Sequence, residues 1–333
     1  MPFSDVVGHK PIVTWLTRQI AAEAICRSYL LLGPEGVGKR FLAQQLAQAI
    51  QCGAERHGEA CGQCPMCRLV ADGHHPDVTV MQVPESRRQI TIEQIRTLQH
   101  WLSLKAFHGG RKVAIIDRAD SMQEPAASAL LKTLEEPPPT SVLVLVAAHE
   151  SRLLPTIVSR CAKLYCSPLS TEDLVRALGQ QGVATVASYL ARRVARLVSG
   201  RLGRAIELAS PEGWERYEAV RQELLSAMES GNLEPETPYS RQESEVIRRR
   251  LEEGLEAVAA WYRDAMLIQV GAARDLLARP DQYDALKALA VSQPAERLSE
   301  TVDRLYETLG FIQQRVNPKS AIASLVAGAS RRS

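Results

Sequence analysis

Residues 33–40 read GPEGVGKR, and this stretch gives the clearest indication of the fold of the sequence around it. It follows a strand-like apolar run at residues 29–32 and precedes a helix-like run at residues 41–50. A strand, a glycine-rich turn with a lysine and a helix together form a phosphate-binding loop, in which backbone amides and the helix N-terminus hold phosphate oxygens. The alternative is a glycine-rich turn that binds no ligand. The context of the stretch predicts descent from a phosphate-binding loop.

Three glycines and a lysine give the loop its phosphate-binding character. Gly33, Gly36 and Gly38 allow the backbone amides to converge on phosphate oxygens, and Lys39 would pair with the terminal phosphates of ATP or ADP. The next residue is ordinarily Ser or Thr, whose hydroxyl binds the magnesium ion of the nucleotide. Here it is Arg40. The sequence therefore leaves open whether ATP or ADP still occupies the loop.

A second apolar run, KVAIIDRAD at residues 112–120, predicts a strand that ends at Asp117. An aspartate in this position of a phosphate-loop protein orients magnesium through water. Members that hydrolyse ATP carry a glutamate at the next position, where it polarises the attacking water, but this chain has Arg118. A cation cannot act as that general base. Because the hydroxyl ligand and the base are both replaced, we expect no ATP hydrolysis at this chain's own site.

Composition shifts along the chain predict its organisation. Up to about residue 165, short apolar runs alternate with helix-length segments, which indicates an α/β domain with a largely parallel sheet covered on both faces. Beyond residue 168 such runs stop, and a segment of short helices begins at an N-cap of Ser170 or Thr171. From about residue 210 the sequence is rich in Leu, Ala, Glu and Arg, which predicts an all-helical domain. The expected boundaries are 1–167, 168–209 and 210–333.

Four of the seven cysteines fall close together after the first predicted helix of the loop. Cys52, Cys61, Cys64 and Cys67 have the spacing C-x8-C-x2-C-x2-C within the insertion at residues 52–67. Thiolates at such spacing, with Gly and Pro turns between them, can converge on one zinc ion, and four protein ligands leave no position for water. Disulfides or unrelated buried thiols are the alternatives. The spacing predicts a structural zinc site, and His57, His74 and His75 nearby are expected to be surface residues.

Overall composition excludes several classes of protein. The net charge is +2 and aromatic residues make up 5% of the chain, so neither a basic nucleic-acid-wrapping face nor a base-stacking surface is indicated. The start of the sequence, MPFSDVVGHK, lacks the layout of a signal peptide, and no apolar run reaches the ~20 residues that cross a bilayer. We expect a cytoplasmic protein.

Two longer stretches resemble a known family. They are HPDVTVMQVPESRRQITIEQIRTLQHWL and KVAIIDRADSMQEPAASALLKTLEEPPPTSVLVLVAAHESRLLPTIVSRC. Both are similar to the clamp-loader branch of the AAA+ family, the loader subunits of bacterial DNA polymerase III, and the resemblance covers roughly residues 3–210. It implies a RecA-like AAA+ domain that carries the cysteine insertion, a small helical lid at residues 168–209, and a helical collar at residues 210–333 that joins five subunits in an open ring.

The resemblance also assigns roles to individual residues. Ser159, Arg160 and Cys161 match the SRC motif, whose arginine reaches ATP on the neighbouring subunit; an ordinary surface arginine is the alternative. In GRLGRAIEL, Arg204 occupies a second nucleotide-sensing position. At the first sensing position, where motor subunits carry Thr or Asn, this chain has Ala148 followed by histidine. The degenerate nucleotide site would thus comprise Gly33, Gly36, Gly38, Lys39, Arg40, Asp117 and Arg204.

The resemblance therefore implies a stator subunit that has lost its own hydrolysis and donates Arg160 to a motor subunit. Its expected partners are motor subunits of the tau/gamma type and a delta subunit in a five-subunit ring, the sliding clamp, and primed DNA through the complex. Two other readings remain open. One is an active ATPase motor subunit of the same loader, which would need Ser or Thr at position 40 and Glu at position 118. The other is a freestanding zinc-bearing nucleotide-binding protein, which would have no use for an arginine aimed at a neighbour.

Overall fold

A computed structural model describes residues 3–54, 58–83, 89–107, 110–180, 188–230 and 241–313, together with residues 316, 317, 320, 321 and 325. The chain forms two compact units. The α/β unit comprises Met1–Ala177 and Ser199–Gly203, and the helical unit comprises Leu178–Val198 and Arg204–Ser333. The expected three-part division with a separate lid stays a prediction.

The α/β unit is built around a sheet of five parallel strands. The strands are β1 (Ser28–Leu32), β2 (Val78–Met81), β3 (Lys112–Ile116), β4 (Ser141–Ala147) and β5 (Ala162–Tyr165). Their order in the sheet is β2-β3-β4-β1-β5, and every neighbouring pair is parallel. This arrangement confirms the predicted α/β fold with a parallel sheet.

Helices connect the strands and then form the C-terminal part of the chain. They are α1 (Lys10–Ala21), α2 (Lys39–Gln51), α3 (Pro65–Ala71), α4 (Ile92–Ser103), α5 (Glu124–Glu135), α6 (Pro155–Val158), α7 (Thr171–Gln180), α8 (Ser188–Leu197), α9 (Leu202–Ala209), α10 (Pro211–Ser230), α11 (Arg241–Gln269), α12 (Tyr283–Ser292) and α13 (Ala295–Gln313). The amide of Asp173 donates to Ser170 Oγ at 3.1 Å, so Ser170 caps α7 as the sequence predicts. In the part of the chain that the structure describes, no helix is both long enough and apolar enough to span a membrane.

Both faces of the sheet are buried, which explains the near-continuous apolar runs in its strands. On one face, Tyr29 and Leu31 of β1 share a core with Leu42 and Leu46 of α2. On the other face, Leu30 of β1 joins a core formed with α4, α5 and α6. Alternate residues of one strand therefore enter opposite cores, and the two layers of helices fix the ends of the strands where the candidate site lies.

The fifth strand was not expected from the sequence, because it lacks an apolar run. β5 lies at the edge of the sheet, where Leu164 is buried but Lys163 and Tyr165 are exposed. Both exposed side chains contact Glu150 at 3.3 and 3.0 Å, respectively. An edge strand with one buried face alternates in polarity, so four residues give too short a pattern to predict.

The helical unit has a separate core, as the Leu- and Ala-rich sequence predicts. Leu224 of α10, Leu255 and Val258 of α11 and Leu305 of α13 pack together in this core. At Gly254 of α11, an added Cβ would lie 3.0 Å from a methyl group of Val220 on α10, so a residue without a side chain lets these helices approach closely. The expectation of an all-helical C-terminal region is confirmed for the described residues.

Candidate functional site

The glycine-rich loop between β1 and α2 has the backbone of a phosphate-binding loop. Gly33, Gly36 and Gly38 have φ values of 145°, 80° and 97°, which side-chain-bearing residues rarely adopt. A Cβ at Gly33 would also lie 2.0 Å from the carbonyl oxygen of Cys166, which follows β5. Glycine at this position is therefore required by both backbone conformation and close packing.

Lys39, the first residue of α2, is turned into the loop. Its Nζ donates hydrogen bonds to the carbonyl oxygens of Gly33 at 2.5 Å and Pro34 at 2.7 Å, and only 6% of the residue is exposed. Burial lowers the pKa of Lys39, while the neighbouring carboxylates of Asp117 and Asp120 act in the opposite direction. The lysine that would meet terminal phosphates thus lies in the loop, as the sequence predicts.

Two further carbonyl groups of the loop also accept hydrogen bonds from the α/β unit. The amide of Gly203 donates to Gly36 O at 2.9 Å, and Nε2 of His9 donates to Val37 O at the same distance. Both donors come from segments remote in sequence. The loop is therefore held in place at its second half by the beginning of α1 and by the N-terminal end of α9.

Arg40 lies beside the acid that would orient magnesium. Its Nη1 is 3.6 Å from Oδ2 of Asp117, at the end of β3, which makes an ion pair slightly longer than a hydrogen bond. The side chain of Asp117 is only 20% exposed, so water reaches little of it and Arg40 is its charged partner in this ion pair. A guanidinium at this point supplies positive charge where a phosphate loop ordinarily uses a hydroxyl and a divalent ion.

The residue after Asp117 is also engaged. Arg118 has a left-handed backbone (φ 55°), and its Nη2 lies 3.9 Å from a carboxylate oxygen of Glu35 in the loop. Both side chains are well exposed, so this pair contributes little to stability. Its consequence is local: a second cation, after Arg40, stands beside the loop at the end of β3.

Asp120 is a site residue that sequence reasoning missed. Its Oδ2 accepts hydrogen bonds from the amides of Ala148 and His149 at 3.0 and 3.1 Å, so it ties the segment after β3 to the predicted first sensing position after β4. The sequence signal that could have identified it is the second aspartate of DRAD, three positions after Asp117. With Glu35 and Asp117, Asp120 gives three carboxylates near the three cations at positions 39, 40 and 118.

Arg160 lies at the surface of the α/β unit, two residues after α6. Its Nη1 donates to the carbonyl oxygen of Thr156 at 3.0 Å and contacts Ser159 Oγ at 3.4 Å, and its Nη2 lies 2.7 Å from Oε1 of Glu135. The side chain is 36% exposed. The guanidinium is therefore both accessible and held in one orientation, and its role toward a neighbouring subunit stays a prediction.

Arg204 belongs to the helical unit, where carboxylates surround it. Its Nη1 donates to Glu207 at 3.1 Å and to Glu253 at 2.8 Å, and Glu253 also meets Arg216 and Arg249. Burial lowers the pKa of Arg204, but the bonds to Glu253 and Glu207 outweigh it and raise the pKa above the ordinary value. Within its unit this arginine is a structural partner, and its nucleotide-sensing role stays a prediction.

The four clustered cysteines converge in space. The Sγ atoms of Cys52, Cys61, Cys64 and Cys67 all lie within 4.8 Å of one another, and those of Cys61 and Cys67 are 3.9 Å apart. Zinc–sulfur bonds of about 2.3 Å in a tetrahedron require sulfur atoms roughly 3.8 Å apart. No cysteine is in a disulfide among the described residues. The separation therefore fits a single zinc ion.

Backbone amides prepare three of these sulfurs to carry negative charge. Cys52 Sγ accepts the amide of Cys61 at 3.3 Å, Cys61 Sγ accepts the amide of Cys64 at 3.2 Å, and Cys64 Sγ accepts the amide of Cys67 at 3.4 Å. Hydrogen bonds from the amides of Gln63 and Cys64 lower the pKa of Cys61 to about 6. Burial raises the pKa of Cys67, which is the innermost of the four. The chemistry of the donor set is that of a closed four-thiolate site.

The expectation for the nearby histidines was partly wrong. His74 is exposed as predicted, but His75 is only 3% exposed, and its Nδ1 accepts the amide of Asp77 at 3.1 Å. Asp77 is itself buried and accepts the amide of Phe107. His75 therefore helps to shape the turn into β2, a local role that polarity alone did not reveal. His57 lies outside the described residues.

Comparison with known proteins gives one family. The family model described as "DNA polymerase III, delta subunit" matches residues 8–170. The chain is 42% identical to DNA polymerase III subunit delta' of Pseudomonas aeruginosa over 168 residues, which span 49% of this chain and 51% of that protein. It is 30% identical to subunit delta' of Yersinia pestis over 267 residues, 78% of this chain and 76% of that protein.

A solved structure shares the fold. The gamma-subunit-related protein of DNA polymerase III from Thermotoga maritima superimposes with a TM-score of 0.54 at 17% identity, covering 95% of this chain and 99% of that chain. The first match spans about half of the Pseudomonas protein, but the Yersinia match extends over three quarters of its length. On the strength of that longer match, this chain belongs to the family of DNA polymerase III delta' subunits.

Proposed function

We propose that the chain is the stator subunit of a bacterial clamp loader. Motor subunits of the tau/gamma type and a delta subunit would complete a five-subunit ring with it. The ring would use ATP to open the sliding clamp and load it onto primed DNA, which this chain meets through the complex. Family membership supports this role, together with the arrangement of charged residues around the phosphate loop and at Arg160.

The ion pair between Arg40 and Asp117 is the observation that carries the proposal for this chain's own site. In a hydrolytic site the aspartate orients magnesium and a loop hydroxyl binds it, so that the metal neutralises charge developing on the phosphates. Here a guanidinium lies 3.6 Å from that carboxylate, and Arg118 stands in place of the base. We infer that this site binds no productive magnesium and does not hydrolyse ATP.

Arg160 would still act in ATP hydrolysis, as an arginine finger at the nucleotide of a neighbouring subunit. A guanidinium is permanently charged and presents donors in a planar fork that matches phosphate oxygens. Arginine fingers that act in trans stabilise the transition state of phosphoryl transfer on a neighbouring subunit. The exposed position of Arg160 at the end of a short helix fits a residue that contacts another chain.

An active motor subunit is the alternative within the same loader. It would require a hydroxyl at position 40 and a carboxylate at position 118, and the chain has arginine at both. Steady-state ATPase of the isolated chain separates the two possibilities. We expect no turnover above background, whereas magnesium-dependent turnover that disappears in a Lys39→Ala variant would identify a motor.

The donor role is tested in the reconstituted five-subunit complex with sliding clamp and primed DNA. Arg160→Ala should leave folding and ring assembly intact while clearly lowering DNA-stimulated ATPase and clamp loading. The loss is diluted because only one ATP site would borrow this arginine. An alanine complex as active as the unmodified one would show that Arg160 is an ordinary surface residue.

We further propose that Cys52, Cys61, Cys64 and Cys67 hold one structural zinc ion per chain. The sulfur separations and the amide hydrogen bonds support it. Zinc would supply no chemistry to the reaction, since four thiolates leave no open position. It would instead fix the excursion between α2 and α3, which Gln48 also holds through a 2.7 Å hydrogen bond to the carbonyl of Cys67.

Metal analysis of the purified protein tests the zinc proposal. We expect one equivalent of zinc, released by a chelator with a fall in melting temperature. Cys64→Ser should lose the metal, whereas Cys26→Ser, outside the cluster, should keep it. Protein purified without stoichiometric zinc, or a Cys64→Ser variant that retains it, would contradict the assignment.

A further inference from the structure

The carboxylate of Glu135 holds the guanidinium of Arg160. Glu135 is the last residue of α5, and its Oε1 lies 2.7 Å from Nη2 of Arg160. On the other side of the guanidinium, Nη1 donates to Thr156 O at 3.0 Å and lies 3.4 Å from Ser159 Oγ. The side chain is thus fixed from two directions, by Glu135 and by Thr156, which lie in different elements of the chain.

The positions of these groups follow from the core beneath them. Leu134, next to Glu135, is buried in the same core as Ile157 and Val158 of α6. The backbone of both elements is therefore fixed by apolar packing, while the two polar side chains meet above it. A surface contact whose backbone supports are rigid has a defined geometry even though its atoms are exposed.

Stability alone does not account for this contact. The side chains of Glu135 and Arg160 are 51% and 36% exposed, and exposed ion pairs contribute little to the free energy of unfolding. An unrestrained arginine, in contrast, has many rotamers, and ordering it at the moment of reaction costs entropy. A guanidinium has five N–H donors: two on each terminal nitrogen and one on Nε. Donors therefore remain for phosphate oxygens while Glu135 and Thr156 are bound.

We propose that Glu135 is a positioning residue for Arg160. It orients the guanidinium at the surface of this chain so that its remaining donors are presented to the phosphates of a nucleotide bound by the neighbouring subunit. This inference rests on the proposed donor function of Arg160. Pre-organised groups stabilise a transition state without reordering at the moment of reaction, and the loss of such a support is felt in the rate.

The test uses the reconstituted five-subunit complex with clamp and primed DNA. Four versions of this chain are compared: unmodified, Glu135→Ala, Arg160→Ala and the double variant. We expect Glu135→Ala to slow the one ATP site that borrows Arg160 by about two- to fivefold, in keeping with one exposed ion pair, with KM for ATP unchanged. The other ATP sites dilute this loss, so kcat of the complex should fall by less than it does with Arg160→Ala. In the Arg160→Ala background, removing the carboxylate should have no further effect, because Glu135 acts through that arginine.

Glu136 provides a matched control. It is the next residue, it is exposed, and it has no ion pair among the described residues. Glu136→Ala removes the same charge and should leave the rate unchanged, while Glu135→Gln, which keeps an oxygen acceptor, should retain more activity than Glu135→Ala. Melting curves of the isolated variants should coincide with that of the unmodified chain.

The outcomes separate the inference from the function on which it rests. If Arg160→Ala lowers the rate and Glu135→Ala does not, the donor function stands and the positioning role is wrong. A faster Glu135→Ala complex would show that the carboxylate restrains the arginine instead. An equal loss in both backgrounds would show a structural effect unrelated to Arg160. If Arg160→Ala itself has no effect, the donor function fails and the inference fails with it.

Discussion

Arg40 and Arg160 are both arginines of the α/β unit paired with a carboxylate, yet the two pairs have different surroundings. The partner of Arg40 is Asp117, a 20% exposed residue at the end of β3 that we propose would orient the magnesium of a bound nucleotide if it were free. The partner of Arg160 is Glu135, a 51% exposed residue at the end of a helix. The same interaction therefore occupies a half-buried carboxylate beside the loop in one region and fixes an exposed guanidinium in the other. The identity of the carboxylate, more than the arginine, distinguishes them.

The largest expected effect comes from replacing the guanidinium of Arg160 by a group that keeps its positive charge. In the reconstituted complex, Arg160→Lys should retain most of the loss seen with alanine, because an ammonium cannot reproduce the planar fork. Where a finger dominates one site it contributes roughly 10³–10⁵ in rate, a factor that the other ATP sites of the ring would dilute. DNA-stimulated ATPase is the measurement.

Arg152→Lys serves as the control for that exchange, since Arg152 is exposed and precedes α6 in the same unit. It should leave the rate unchanged. Full activity of the Arg160→Lys complex would show that only a positive charge is needed at this position. The two arginine pairs would then differ in where they lie and not in any need for the planar guanidinium.

A second prediction concerns the shape that the loop has kept. Gly33→Ala should lower the free energy of unfolding by about 1–3 kcal/mol from backbone strain, with a further loss from the contact with the Cys166 carbonyl. Gly38→Ala also has a positive φ but meets no atom within 4 Å, so its loss should be smaller. Denaturant unfolding of the isolated chain measures both, and equal losses would show that the packing at Gly33 is not tight.

Much of the fold could be predicted from sequence because β1, β3 and β4 are buried on both faces and read as apolar runs, and β2 also reads as one although it is only half-buried. The convergence of the four cysteines followed from their spacing alone. The fifth strand was missed because Lys163 and Tyr165 face solvent, and the burial of His75 was missed because it depends on a local turn. For the strand, the missing information is its place at the edge of the sheet, and for the histidine it is a hydrogen bond within a turn; residue preference reveals neither.

The charge pairs of the candidate site show the same limit. The identities at positions 40 and 118 indicated lost chemistry, but nothing in the sequence says that Arg40 turns toward Asp117, 77 residues away. Likewise, Glu135 reaches Arg160 only because α5 and α6 share a core. Long polar side chains are directed by the fold, so sequence can nominate such residues without pairing them.

A third prediction breaks the Arg40–Asp117 pair. Arg40→Thr would free the carboxylate and supply a hydroxyl, so ADP should bind about tenfold more tightly with magnesium than with a chelator, a difference of about 1.4 kcal/mol. The unmodified chain should show no such preference. Arg96→Thr, on the exposed side of α4, is the control, and titration calorimetry is the measurement. Turnover is not expected, because Arg118 still occupies the position of the base.

The outcome that would contradict this prediction is a magnesium preference already present in the unmodified chain. Such a preference would mean that Asp117 orients the metal despite its neighbour. The contrast between the two arginine pairs would then disappear, because Arg40 would no longer keep its carboxylate from another partner.

The smallest expected effect concerns the protonation of Lys39. Burial lowers its pKa in the folded protein, so the folded chain releases this proton at lower pH than the unfolded chain. Between the two pKa values the unfolded state binds more protons, and the free energy of unfolding therefore rises with pH in that interval, which ends near the ordinary lysine value of about 10.4. Lys39→Met removes the titration while keeping most of the side-chain volume. The difference in unfolding free energy between the unmodified chain and this variant, measured from pH 7 to pH 10, should move in favour of the unmodified chain as pH rises. A constant difference would show that the hydrogen bonds to Gly33 and Pro34 offset the effect of burial and hold the ammonium of Lys39 at its ordinary pKa.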